Sequence, residues 1–335
     1  MVCTVIVDGF FGDAGKGKVI SYLAVKDGAD ICVRGGVGPN AGHTVVANGK
    51  EYKLRMVPSG FTCEHTRLLI GPGVVINPDI VLEELKELDA FNRFGVDKQA
   101  AVIEAKHIEI DSTGYLKTNI GTTGTGTGPC NADRAMRTVR LAKDLSKLQP
   151  YIADVPFEVN EALDVDKTVI VEGTQGTFLS LYHGTYPYVT SKDVTASSIC
   201  ADVGIGPTRV DEVILVFKSF VSRVGEGDLP GELPWEETVK RGWDEVATVT
   251  GRKRRAAPFN FELAKRAVML NGATQIALTK VDVLYPKCRG VRTFAALTNE
   301  AKEFVNHVGD ELNLPVSLIG TGPDLREIVD LREKV

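Results

Sequence analysis

Long apolar runs are missing from this chain. No stretch of about 18 or more apolar residues occurs, which excludes a helical membrane span. Cysteine is sparse: Cys3, Cys32, Cys63, Cys130, Cys200 and Cys288 are scattered, with no C-x-x-C pair. That spacing excludes a zinc constellation and leaves reduced thiols as the expectation. Excess positive charge is absent too. The formal net charge of -5 argues against a general nucleic-acid-binding surface, though not against one local basic site. No Pro/Ser linker or internal repeat divides the 335 residues, so one elaborated domain over 1–335 is expected. A strand pattern starts almost at once, leaving no room for a targeting peptide, and a cytoplasmic location follows as an expectation.

What is present is an ordinary globular composition, 43% hydrophobic and 25% charged. Strand and helix patterns alternate, which predicts an α/β fold. The expected form is a mostly parallel central sheet flanked by helices, P-loop NTPase-like, with inserted loops and subdomains. Strands are expected at 31–34, 68–71, 101–103, 168–172, 213–221, 275–278 and, last, 316–319 with a terminal helix behind it. A hairpin over 45–54 turns at Asn48-Gly49. Helices are expected at 78–91, with Ile80, Leu82, Leu85 and Leu88 towards the core, and at 131–148. Residues 120–129 read as a glycine-threonine loop and 183–206 as a long polar stretch.

The chemistry starts in Val5-Ile6-Val7-Asp8-Gly9-Phe10-Phe11-Gly12-Asp13-Ala14-Gly15-Lys16-Gly17-Lys18, a buried strand running through glycines and lysines into a helix. Glycines let backbone N–H groups crowd onto a phosphate, the helix N-terminus favours negative charge, and lysine adds a mobile cation. The G-x-x-x-x-G-K-[ST] spacing is not met. Gly9 is one residue too far from Gly15, and Gly17 stands where a magnesium-binding hydroxyl belongs. Asp13 is then the only carboxylate available inside the loop. A second glycine-rich turn, Gly35 to Thr44, follows the next strand, and both turns are expected to face one crevice.

Thr279-Lys280-Val281-Asp282 ends a strand in the [NT]-K-x-D pattern that reads guanine: the carboxylate accepts from N1–H and the 2-amino group, which adenine does not present. Alone it reads equally as a solvated strand end; joined to the first loop it makes a nucleotide site favouring GTP. His43 reads either as a polar core residue or as a partner of Asp13 in proton and charge handling. Arg252-Lys253-Arg254-Arg255 reads as a small-anion clamp or as a solvated cluster. Arg134, Arg137 and Arg140 lie on the expected 131–148 helix, where Arg137 reaches a phosphate or joins a charged face.

Taken in order, these motifs resemble the adenylosuccinate synthetase family in its compact archaeal form. The resemblance runs through Gly12-Asp13-Ala14-Gly15-Lys16-Gly17-Lys18, Asn40-Ala41-Gly42-His43-Thr44, Gly121-Thr122-Thr123-Gly124 and Glu172-Gly173-Thr174-Gln175-Gly176-Thr177. It continues through His183 to Ser191, Thr250 to Arg255, Thr279 to Asp282 and Gly322-Pro323-Asp324. The resemblance implies a ligase that converts GTP, IMP and L-aspartate to adenylosuccinate, GDP and phosphate, with Mg2+, through 6-phosphoryl-IMP. It implies catalytic roles for Asp13, His43, Lys16 and Gln175. GTP falls to Gly12, Gly15, Lys16, Gly17, Lys18, Gly42, His43, Thr44, Lys280, Asp282, Gly320 and Gly322. IMP falls to Asp13, Asn40, Thr123, Arg137, Gln175 and Thr190, with Arg137 entering from the neighbouring subunit of a homodimer. L-Aspartate falls to Thr250, Arg252 and Arg254, and the metal to Asp13 and the carbonyl of Gly42. The chain departs from the family at Phe11 and Ala14, where tryptophan and glutamate are usual, at the extra Val37-Gly38-Pro39 pattern, and in its shortness.

Other readings carry less. A GTPase switch needs no second anion site, against the Arg252–Arg255 cluster and the His183–Ser191 stretch. A nucleic-acid module rests on the same basic run and conflicts with net acidity. A Rossmann dehydrogenase lacks its G-x-G-x-x-G.

Overall fold

The computed structural model describes residues 2–246 and 251–332. Ten strands form the central sheet in the order Ile328–Asp330, Val316–Gly320, Gln275–Thr279, Glu212–Lys218, Cys3–Asp8 (β1), Val169–Glu172, Ile31–Arg34 (β2), Arg67–Ile70, Phe94–Asp97 and Ile152–Ala153. Every neighbouring pair is parallel except Val316–Gly320 with Ile328–Asp330. The strands read as continuous apolar runs because both faces are covered. Val5, Val7, Val33 and Leu215 pack on one face, Ile6, Cys32, Ile170 and Ile214 on the other.

Parallel pairing sends the C-terminal ends of the strands to one edge, where ligands of open α/β sheets bind. The loop after β1 opens there and enters the helix Lys16–Asp27 (α1). The turn after β2 leads into the antiparallel hairpin His43–Ala47 (β3) and Lys50–Leu54 (β4), with Asn48 and Gly49 both at positive φ, as a two-residue type I′ turn requires. The ends of Val169–Glu172, Gln275–Thr279 and Val316–Gly320 complete the edge.

Several expectations are corrected. The expected 131–148 helix is a shorter one, Thr127–Met136: Arg137 takes a left-handed conformation (φ 65) and ends it, and short 3-10 turns follow. Only Arg134 of the three arginines lies on that helix; Arg137 caps it and Arg140 lies beyond. The segment 213–221 is two strands in different sheets, Glu212–Lys218 and Phe220–Arg223, broken at Ser219. The polar stretch 183–206 contains a helix, Ala196–Val203. No terminal helix backs Val316–Gly320 within the described residues; the chain returns as Ile328–Asp330. The helix Pro78–Leu88 turns Val81, Glu84 and Leu85 inward rather than Leu82. Glu84 tolerates burial because its carboxylate accepts from the amides of Arg55, Met56 and Val57.

Candidate active site

Asp8, which ends β1, builds the first loop. Its buried carboxylate accepts from the amides of Phe10 (2.9 Å), Gly12 (3.2 Å) and Ala14 (2.8 Å), and from Lys16 Nζ (3.2 Å). These bonds curl the chain so that Asp13, at φ 62, faces the cleft and α1 begins at Lys16. The first-turn amides of α1 have no helical acceptor and are free to meet an anion. The Lys16 ammonium also donates to the Gln175 carbonyl (2.6 Å), tying this loop to the one after Val169–Glu172. Ala14 keeps its methyl buried and contributes its amide to Asp8.

The second turn delivers His43 to the start of β3. Its Nδ1 lies 2.5 Å from Glu172 Oε1, while Nε2 is buried without a partner in the protein. Glu172 is held from behind by Arg34, its cross-strand partner on β2 (3.3 Å), and by the Ser59 amide (2.6 Å). Burial alone would raise the Glu172 carboxyl, but His43 and Arg34 outweigh it and the group stays ionised. Burial pushes the His43 imidazole below its ordinary value, with Glu172 pulling the other way. Nδ1 therefore carries the proton that meets Glu172, and Nε2 points at the cleft.

A cleft of about 410 Å³ collects most of the expected residues. Gly12, Asp13, Lys16, Asn40, Gly42, His43, Thr123, Gln175, Thr190, Arg252 and Arg254 all line it. Asn40 Oδ1 and Gln175 Oε1 are buried there and unpartnered, like His43 Nε2. Unpaired buried polar atoms are costly, so three in one cavity point to a polar ligand that satisfies them. Asn40 donates to Thr190 (3.3 Å), and Thr123, Thr125 and Thr127 form a hydroxyl chain. Arg254 pairs with the Asp13 carboxylate, and burial lowers its guanidinium to about 10, which leaves it charged near neutrality.

The remaining residues lie outside this cleft. Lys18 turns from the first loop towards the last parallel strand, donating to the carbonyls of Gly322 and Glu327. Burial lowers its ammonium to about 8, against the pull of Asp282, Glu327 and Asp324. Gly320 and Gly322 thus stand beside Lys280 and Asp282 at the ends of adjacent strands. Gly15 and Gly17 open α1, and Thr44 lies on β3. Arg137 is exposed at the end of its helix, away from the cleft of its own chain. Thr250 lies outside the described residues.

Four residues of the site escaped the sequence: Asp8, Arg34, Glu172 as a histidine partner, and Arg223. Arg223 sits over the Phe11 ring (4.6 Å) and donates to the carbonyls of Asp228 and Tyr188, bracing the wall at Phe11. Charged residues ending apolar strands were the available signal for the first three.

Among the described residues no group of three or more His, Cys, Asp or Glu forms a metal cage. The site instead offers the hard oxygens of Asp13, which lines the cleft together with Gly42. That suits a magnesium ion, which takes one or two protein oxygens along with substrate phosphates.

Comparison with known proteins gives the family and the fold. The family model for adenylosuccinate synthetase matches residues 5–147 and 139–287. Adenylosuccinate synthetase of Pyrococcus horikoshii is 52% identical over 339 residues, covering 100% of both chains. That of Archaeoglobus fulgidus is 52% identical over 335 residues, covering 100% of this chain and 99% of its own. The fully ligated Plasmodium falciparum adenylosuccinate synthetase shares the fold at TM-score 0.90 and 24% identity, over 98% of this chain and 99% of that one. The cyanophage S-2L succinoaminodeoxyadenylate synthetase, solved with dGMP and with dATP as energy donor, superposes at TM-score 0.82 and 26% identity, over 98% and 95% of the two chains. The chain therefore belongs to the adenylosuccinate synthetase family, the ligases that join L-aspartate to IMP at the expense of GTP.

Proposed function

We propose that the cleft performs this ligation in two steps, with Asp13 as the base and the 6-oxygen of IMP as the first nucleophile. An amide-type oxygen is a poor leaving group until it is phosphorylated. Asp13 takes the N1 proton, O6 attacks the γ-phosphorus, and the bond from that phosphorus to the bridging oxygen breaks to release GDP. The aspartate amine then attacks C6, the C6–O6 bond breaks, and phosphate departs with O6 as the amine loses a proton. Phosphoryl transfer depends chiefly on positioning and charge neutralisation. Lys16 and the Nε2 side of His43 supply these to the transferring group, and Gln175, Asn40, Thr123 and Thr190 hold IMP. Arg252, Arg254 and Thr250 receive the carboxylates of L-aspartate. Arg254, paired with Asp13 in this structure, exchanges that carboxylate for the substrate's. Gly12, Gly15, Gly17, Gly42 and Thr44 surround the GTP phosphates.

Guanine is assigned to Lys280 and Asp282, beside Gly320 and Gly322. Asp13 and the Gly42 carbonyl would hold Mg2+, which neutralises phosphate charge when bound. Arg137, exposed on its own chain, fits a role in the active site of a second copy, making the enzyme a homodimer. The cysteines, all unpaired and buried, fit a reducing compartment such as the cytoplasm. We read 1–335 as one catalytic domain, since the cleft draws on loops from residue 11 to residue 254.

The observation that carries this reading is the meeting, in one cavity, of Asp13, Arg252 and Arg254 with the unpartnered polar atoms of Asn40, His43 and Gln175. Its test is phosphate release with each of GTP, IMP and L-aspartate omitted in turn. Release should need all three and accompany adenylosuccinate absorbance. GTP hydrolysis indifferent to IMP would favour a switch GTPase instead.

A further inference from the structure

Glu245 belongs to none of the assigned subsites, yet it touches two of them. Its segment pairs with the one that carries Arg252 and Arg254: the Arg254 amide donates to the Glu245 carbonyl (2.9 Å), and Val246 bridges to Lys253. Its carboxylate reaches the other way, 3.2 Å from Lys280 Nζ, the lysine of the guanine-reading motif. The second oxygen accepts from Lys218 Nζ (2.5 Å), a buried lysine that also donates to Ser222 (2.6 Å). Lys218 ends the strand beside Gln275–Thr279, and Ser219 Oγ fixes the Lys280 carbonyl (2.8 Å). The backbone of Lys280 is itself locked, at φ 61.

A continuous set of contacts thus runs from Lys280 through Glu245 and Arg254 to Asp13. One carboxylate between two ammonium groups leaves the trio with excess positive charge, so neither lysine has a better partner within it to release Glu245 to. Resting on the guanine assignment to Lys280, we infer that Glu245 is a positioning residue that couples occupation of the guanine site to the placement of Arg254 in the aspartate site. A base stacked along the Lys280 stem fixes the ammonium, the ammonium fixes Glu245, and the Glu245 carbonyl fixes the backbone that presents Arg254. Such coupling is reciprocal: GTP tightens aspartate and aspartate tightens GTP by the same factor.

The test compares wild type, Glu245→Gln, Lys280→Ala and the double variant, measuring KM for L-aspartate at low and saturating GTP, together with KM for GTP and IMP. Glu245→Gln keeps the size and the backbone carbonyl but loses the charge that holds Lys280. It should raise KM for L-aspartate about 5-fold or more at saturating GTP, abolish the dependence of that KM on GTP, and leave kcat and KM for IMP near wild type. Lys280→Ala should reproduce the aspartate effect and weaken GTP, and the double variant should add nothing further for aspartate. An unchanged aspartate KM in Glu245→Gln overturns the inference, as does a rise shared equally by IMP, which would signify general loosening. A Lys280→Ala enzyme with unaltered GTP affinity would instead remove the guanine assignment beneath it.

Discussion

At the scale of single residues, the departure from the P-loop pattern at Gly17 has a steric cause. A side chain there would place its Cβ 3.0 Å from His43 Cβ, 3.3 Å from Ser59 Oγ and 3.3 Å from the Thr44 carbonyl. The place a P-loop gives to a hydroxyl side chain is here taken by His43, packed against the first turn of α1. Gly17→Ser should therefore fold yet lose roughly 10²-fold in kcat, since displacements of about 1 Å near reacting atoms cost that much. Steady-state kinetics beside a circular dichroism melt checks it. The His43 imidazole, lowered by burial, is neutral at pH 7 in the free site, with Nε2 bare. A triphosphate placed against Nε2 favours the imidazolium, so nucleotide binding near pH 7 should take up a proton. Calorimetry in buffers of different ionisation enthalpy reads this uptake, and His43→Asn should abolish it. Without ligand, protonation works against the folded chain instead. The unfolded chain binds the proton more tightly, so this group subtracts stability as pH falls through the ordinary histidine value.

At the scale of elements, α1 joins two ends of the site. Its first turn faces the cleft through Lys16, and one half-turn on, Lys18 grips the Gly322 and Glu327 carbonyls near Lys280 and Asp282. Lys18→Met should raise KM for GTP on the order of tenfold, the worth of charge-assisted hydrogen bonds, with KM for L-aspartate little changed. Initial-rate kinetics with each substrate varied checks it. The lysine pair of the first loop thus points two ways, Lys16 to the Gln175 carbonyl and Lys18 to those of Gly322 and Glu327. Sequence spacing showed both lysines but not that split, because side chains half a turn apart on a helix point to different neighbours. The broken helix at Arg137 makes a similar point. Its periodic pattern continues past Met136, but a left-handed residue ends it, and the arginine is left exposed at the corner.

At the scale of the molecule, an exposed Arg137 predicts dependence between subunits. Asp13→Ala and Arg137→Leu should each be nearly inactive alone. Mixed and allowed to exchange, they should recover roughly a quarter of wild-type activity, because each hybrid dimer of a symmetric pair holds one intact site. Activity assayed against mixing ratio reads this, and no recovery would place Arg137 in its own chain's site or in none. By itself the sequence determined the α/β class, the parallel strands with both faces apolar, the hairpin at Asn48-Gly49 and the loops that carry Asp13, His43 and the guanine motif. These are written in local patterns: strand periodicity, glycine turns and short ordered motifs. Tertiary structure alone decided that Asp8 builds the first loop, that Arg34 and Glu172 orient His43, and that Glu245 touches both Lys280 and Arg254. The Asp8 bonds are local but follow no pattern of spacing, whereas His43 and Glu172 lie 129 positions apart and meet only because parallel strands bring their ends to one edge.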